Sequence, residues 1–224
     1  MEAPADLKAW RRELRQRLLT RRTASTPAER SAWNRALNAH LAAGFPALGG
    51  LVVGFCWPYK GEPDPRPWIR RLRQAGARVV LPAVVAKGQP LEFREWWPQA
   101  PMAAGALGIP MPVGTPVLVP DAVLVPPVGF DAGGWRLGYG GGYFDRTLET
   151  LTPHPVKICL AYELARIPTI HPQPHDIPMD FVVTEAGLHA VEPGGLQPID
   201  AAACDRRVRD LLAARQLPRR QRRA

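Results

Sequence analysis

The sequence is short of cysteine, of unbroken apolar runs and of acidic residues. Its 224 residues include three cysteines, Cys56, Cys159 and Cys204, an odd number at wide spacing that argues against a disulfide framework. Cys56 and Cys159 stand inside apolar runs and read as buried strand residues, so a reducing cytoplasm is the expected compartment. No apolar core follows the first charged residues, which argues against an export signal. The uncharged stretch over residues 101–120 is broken throughout by proline and glycine and does not read as a membrane helix. Acidic residues number 20 against 29 basic ones, a formal net charge of +9. Much of the excess lies at the two ends, in residues 11–22 and 206–223. The last run (Arg215, Arg219, Arg220, Arg222, Arg223) reads as a solvated tail. A nucleic-acid partner is the rival reading of those ends, and no RNA-recognition motif supports it. A basic balance equally suits a substrate that carries phosphates or carboxylates.

What is present is ordinary globular composition, 46% hydrophobic and 22% charged. A chain of this size buries about 70% of its unfolded surface and needs no covalent staple. Residues 5–22 carry Leu7, Trp10, Leu14 and Leu18 at helical spacing among arginines, a basic amphipathic helix. Thr26-Pro27 opens a second helix that Gly44 closes. The run from Leu51 to Cys56 is a strand buried on both faces. A helix over residues 65–74 stops at Gly76, and a strand starts at Arg78. Residues 91–96 alternate apolar and charged side chains, as an antiparallel strand near an edge does. Residues 122–125, 156–162 and 181–184 supply three more strands, with a helix over 143–151 between the first two. Strands alternating with helices imply an α/β fold. We expect a single three-layer domain over residues 1–200, with a largely parallel, Rossmann-like sheet and helices on both faces. Residues 201–224 form a basic C-terminal helix and tail. Residues 99–121, rich in proline and glycine, read as a long functional loop.

The most informative stretch runs from Pro126 to Arg146. It follows a buried strand and precedes a helix, and Gly138, Gly140, Gly141 and Gly142 remove the Cβ atoms that would hold a ligand off the backbone. Successive amide N–H groups there form an anion-binding concavity, aided by the N-terminus of the next helix. Arg136 adds a bidentate donor for phosphate oxygens. Asp145 is the carboxylate close by, a hard ligand suited to Mg²⁺ carried in with ATP. The alternative is a glycine-rich turn of purely structural purpose. No Gly-Lys-Ser/Thr follows, so this is not a P-loop, and Tyr143 stands where a dinucleotide fingerprint needs its third glycine. His171 and His175 are four apart, but Pro-Gln-Pro between them forbids the helix that would make them a metal pair. His175 and Asp176 instead read as a pair holding their loop. Trp96 and Trp97 read as core packing rather than pocket lining.

Arg136-Leu-Gly-Tyr-Gly-Gly-Gly-Tyr-Phe-Asp-Arg, preceded by a Pro…Phe-Asp segment, resembles the signature of the 5-formyltetrahydrofolate cyclo-ligase family. The likeness continues at Arg11-Arg-Glu-Leu-Arg15, similar to a family helix that contacts ATP, and at Trp57-Pro-Tyr-Lys-Gly-Glu62, similar to its folate-binding loop. His175-Asp-Ile-Pro-Met-Asp180 is similar to its closing motif. The resemblance implies a cytoplasmic, monomeric enzyme that binds ATP, Mg²⁺ and a reduced folate, with neither membrane nor nucleic acid as partner. It implies ATP contacts from Arg11, Arg15, Arg136, Gly138, Tyr139, Gly140, Gly141, Gly142, Tyr143 and Phe144. Arg136 and Asp145 would be catalytic, with Asp145 also the metal ligand. Trp57 and Tyr59 would stack on the pterin and Glu62 would accept hydrogen bonds from it. The reaction implied is ATP-driven closure of 5-formyltetrahydrofolate to its 5,10-methenyl form. The chain departs from the family pattern at Arg11 (lysine), Phe144 (tyrosine), Met111 (often acidic) and a missing glutamine near Ala161. These departures leave open an alternative, a diverged member that uses ATP on another formylated substrate.

Overall fold

The computed structural model describes residues 3–216; of the basic tail, residues 217–224 lie outside the described residues. Helix α1 (Leu7–Thr23) begins at Asp6, whose carboxylate accepts from the Ala9 N–H, and buries Leu14 and Leu18 one turn apart. Helix α2 (Pro27–Gly44) starts with a capping box: Thr26 Oγ1 accepts from the Glu29 N–H, and the Glu29 carboxylate accepts from the Thr26 N–H. Gly44 does not stand beyond this helix, as the sequence suggests, but ends it, with Phe45 as the cap. The glycine serves packing. A Cβ there would lie 2.8 Å from Leu188 Cδ1 and 3.2 Å from Cys204 Sγ.

The chain continues through β1 (Val52–Gly54), α3 (Arg66–Gln74), β2 (Arg78–Ala83) and β3 (Glu92–Glu95). A small hairpin of β4 (Met102–Ala104) and β5 (Pro110–Pro112) comes next, then β6 (Ala122–Val125) and a second hairpin of β7 (Gly129–Phe130) and β8 (Arg136–Leu137). Helix α4 (Tyr143–Thr150), β9 (Val156–Leu160), β10 (Phe181–Thr184), β11 (Gly187–Glu192), β12 (Gly195–Ile199) and α5 (Ala201–Gln216) complete it. Eight strands form one sheet in the order β12-β11-β10-β9-β6-β1-β2-β3. The five central strands, β10 to β2, are mutually parallel, and β3, β11 and β12 join antiparallel at the two margins.

The continuous apolar runs of the central strands are explained by two separate cores. Val79 and Leu81 of β2 and Leu124 of β6 point to the face covered by α2, α3 and α5, joining Leu37, Leu41, Ile69 and Val208. Val80, Val123 and Val125 point to the other face, where Leu148 of α4 and Met179 lie. Alternate side chains thus serve opposite faces, the period-2 rule with no polar side to reveal it. Helix α1 packs on the β7–β8 hairpin through Leu14, Leu18, Val128 and Leu137. Helix α5 buries Cys204 and Val208 in the same core as α2. No helix among the described residues is long and apolar enough to cross a membrane.

Candidate functional site

Strand order reverses between β1 and β6. From β1 the chain moves outward to β2, and from β6 it moves the opposite way to β9. The connections leaving these two strands therefore diverge, and the crevice between them is where open α/β sheets bind ligands. A cavity of about 450 Å³ lies there. Its walls are the segment after β1, the glycine loop after β8, and the hairpin β4–β5.

The first wall is residues 57–62. Trp57 stands edge-on to Trp96 at 6.0 Å and carries the Arg66 guanidinium 5.0 Å from its ring centre. Lys60 and Gly61 take left-handed backbone angles (φ 46° and 73°), closing a tight turn in which the Glu62 N–H donates to the Tyr59 carbonyl at 3.1 Å. The turn drives Glu62 inward, where it is 6% exposed. Its Oε2 accepts from the Tyr59 N–H at 3.0 Å and its Oε1 from the Tyr139 hydroxyl at 2.7 Å. Burial raises the Glu62 pKa to about 7 against the opposing pull of Arg22, Tyr139 and Tyr59.

The second wall is residues 138–142. Gly140 and Gly142 are left-handed (φ 95° and 62°), where other residues are strained. A Cβ on Gly138 would meet nothing within 4 Å, so the loop backbone there faces open space. Gly142 caps α4 with no side-chain hydrogen bond, leaving N–H groups of the first turn for an anion. Arg15 of α1 donates from Nε to the Gly138 carbonyl at 2.7 Å. Arg136 is 4% exposed, and its Nη1 donates to Asp145 Oδ1 at 2.7 Å. The Ile177 N–H reaches the same oxygen at 3.2 Å. The buried Arg136 Nη2 has no partner among the described residues. Those residues gather no group of three or more His, Cys, Asp or Glu side chains for a metal. A cation here would therefore take Asp145 plus oxygens of a bound molecule, the usual mode of Mg²⁺.

Arg22, in the last turn of α1, is 3% exposed and ties the walls together. It donates to the Lys60 carbonyl (3.0 Å), the Pro127 carbonyl (2.9 Å) and the Tyr139 hydroxyl (2.6 Å). The hairpin β4–β5 roofs the cavity with Leu107, Ile109, Pro110 and Met111. Leu107 is 68% exposed at its tip.

Trp57, Tyr59, Glu62, Arg136, Gly138, Tyr139, Gly141, Gly142, Tyr143, Phe144 and Asp145 all line this one cavity. Gly140 sits in the same loop with its backbone turned toward Arg15. Arg11 does not join them: its guanidinium donates to the Ile170 and His171 carbonyls and pairs with Asp176 at 2.7 Å. Asp176 is thus held by Arg11, while His175 lies 3.8 Å away and 72% exposed. Trp96 is buried in the core. Sequence reasoning missed Arg22, although it lies seven residues beyond Arg15 and four beyond Leu18, on one helical face. It also missed that the Tyr139 hydroxyl turns to Glu62. No local pattern announces that contact, because 77 residues separate the partners.

The model of the 5-formyltetrahydrofolate cyclo-ligase family matches residues 7–185. Similar relatives include the 5-formyltetrahydrofolate cyclo-ligase of Escherichia coli (strain K12), 30% identical over 172 residues, with 73% of this chain and 94% of the relative covered. That of Mycolicibacterium smegmatis is 32% identical over 181 residues, 77% of this chain and 92% of the relative. Among solved structures, the 5,10-methenyltetrahydrofolate synthetase of Aquifex aeolicus superposes with a TM-score of 0.71 at 27% identity, over 85% of this chain and 96% of that one. Together with the fold and the cavity at its strand-order reversal, these matches show that the chain belongs to the 5-formyltetrahydrofolate cyclo-ligase family of enzymes.

Proposed function

We propose that the chain uses ATP to close 5-formyltetrahydrofolate to 5,10-methenyltetrahydrofolate, releasing ADP and phosphate. The observation that carries the reading is the meeting of the aromatic and acidic loop 57–62 with the glycine loop 138–142 across one cavity. In this account the glycine-loop amides and Arg136 hold the triphosphate, with Arg15 beside the loop. Trp57, Tyr59 and Glu62 hold the pterin face to face with it. The formyl oxygen takes the γ-phosphoryl group and ADP departs. The N10 lone pair then attacks the formyl carbon, the C–O bond breaks with phosphate as leaving group, and N10 gives up its proton. Such a reaction asks the protein for positioning and charge neutralisation rather than a nucleophile. Mg²⁺, bound through the Asp145 oxygen that Arg136 and Ile177 leave open, would supply charge neutralisation at the phosphates. The enzyme is taken to act in the cytoplasm as a monomer.

Met111 favours one second reading, since it places an apolar side chain on the cavity roof where the family pattern often has an acid. A diverged member would act on another formylated amine. Turnover of 5-formyltetrahydrofolate, 10-formyltetrahydrofolate and simple formamides, followed as ATP-dependent phosphate release, separates the two. A kcat/KM for the 5-formyl compound at least about a hundredfold above the others supports the first reading. A preference for another formyl compound selects the second.

A further inference from the structure

Resting on that substrate reading, we infer that Arg22 and Tyr139 are positioning residues that set the orientation and charge of Glu62 toward the folate. Neither needs to touch the reacting atoms. A carboxylate buried this far loses its hydration and is costly unless it is paired and hydrogen-bonded. Here both oxygens are engaged, Oε2 by the Tyr59 N–H and Oε1 by the Tyr139 hydroxyl. The hydroxyl that donates to Glu62 itself accepts from Arg22 Nη2. Arg22 Nη2 lies 3.8 Å from Glu62 Oε1, both side chains 3% exposed. Each carboxylate oxygen has a second lone pair, and Glu62 lines the cavity. The carboxylate can therefore take a planar pair of ligand N–H donors while the protein fixes its plane from behind.

The geometry is over-determined in a way a simple ion pair is not. Arg22 spends its other nitrogens on the Lys60 and Pro127 carbonyls. Its guanidinium plane is thereby fixed, and so is the direction from which it meets Tyr139. The charged and titratable groups facing Glu62 are Arg22 from α1, Tyr139 from the glycine loop and Cys56 from its own segment. The side chain of Arg30, from α2, passes beside Gly61. Among these, Arg22 acts most strongly to keep Glu62 ionised and Tyr139 comes next; burial opposes both. Burial and the nearby Glu62 charge hold the Tyr139 phenol protonated, so it remains a donor across the physiological range.

The test is steady-state kinetics with the full-length protein at pH 5.5–9, varying 5-formyltetrahydrofolate and ATP separately. In the wild type, 1/KM for the folate should be governed by a group near pH 7. Tyr139→Phe, which removes only the hydroxyl, should raise the folate KM roughly tenfold at pH 7, as expected for one hydrogen bond to a charged group. It should also move that limb upward in pH and change the folate KM by a larger factor than the ATP KM. Arg22→Met should do the same more strongly, and Arg22→Lys should restore part of the limb. In Glu62→Gln the limb should vanish. If Arg22→Met does not fold, Tyr139→Phe decides alone, because its ring stays in place. A wild type that turns over normally while Tyr139→Phe leaves the limb and the folate KM unmoved overturns the positioning role alone. A wild type with no ATP-dependent turnover of 5-formyltetrahydrofolate overturns the proposed function, and this inference with it.

Discussion

At the scale of single residues, the site is built from side chains whose burial alters what the sequence suggests of them. Arg136 reads in the sequence as a donor for phosphate oxygens. In the structure it is buried, with one nitrogen on Asp145 and another without a partner among the described residues. Removing it would strand Asp145 and open a hole beside β8. Arg136→Ala should therefore lower stability by about 3 kcal/mol, the low end for breaking a buried pair, and weaken ATP binding as well. Chemical denaturation beside calorimetric ATP titration checks both; a variant of wild-type stability would show that the pair contributes nothing to folding. Glu62 carries the clearest pH signature. Its pKa rises from 4.5 to about 7 on folding, so between those values the folded chain holds a proton that the unfolded chain releases. The stability it contributes is full below about pH 4.5 and is lost as pH rises through 7. Unfolding free energies at pH 5 and pH 8 should differ less in Glu62→Gln than in the wild type, by up to roughly 3 kcal/mol. Equal pH dependence in the two proteins would place Glu62 in a more solvated setting than its burial indicates.

At the scale of elements, the sequence was most legible where one local rule governs. Thr26, Pro27 and Glu29 announce the start of α2, and the capping box forms as those residues dictate. Thr26→Ala should cost about 1 kcal/mol and lower Tm by about 2–4 °C without altering catalysis; a melt unchanged within error would mean tertiary contacts alone hold that helix end. The central strands were equally plain, because only a strand covered on both faces uses apolar residues so continuously. Three features escaped. The hairpin β11–β12 alternates weakly. The hairpin β4–β5 lies in proline- and glycine-rich chain that reads as loop. Gly44 looked like a helix stop, whereas its role is set by Leu188 and Cys204, far along the chain. Each depends on partners that local spacing does not reveal.

At the scale of the whole molecule, the position of the site follows from topology. Glu62 and Tyr139, 77 residues apart, meet because β1 and β6 are neighbours at the reversal of strand order. The glycine loop was readable as an anion site and the 57–62 loop only by resemblance. Their union across one cavity was visible in neither. The absorbance of the methenyl product tests that union. Purified protein is mixed with Mg-ATP and 5-formyltetrahydrofolate, with ATP omitted in one control and Asp145→Ala in place of the wild type in another. A rise that requires ATP and is lost in Asp145→Ala is expected. A rise without ATP, or no rise from a folded wild type that binds both ligands, would contradict it.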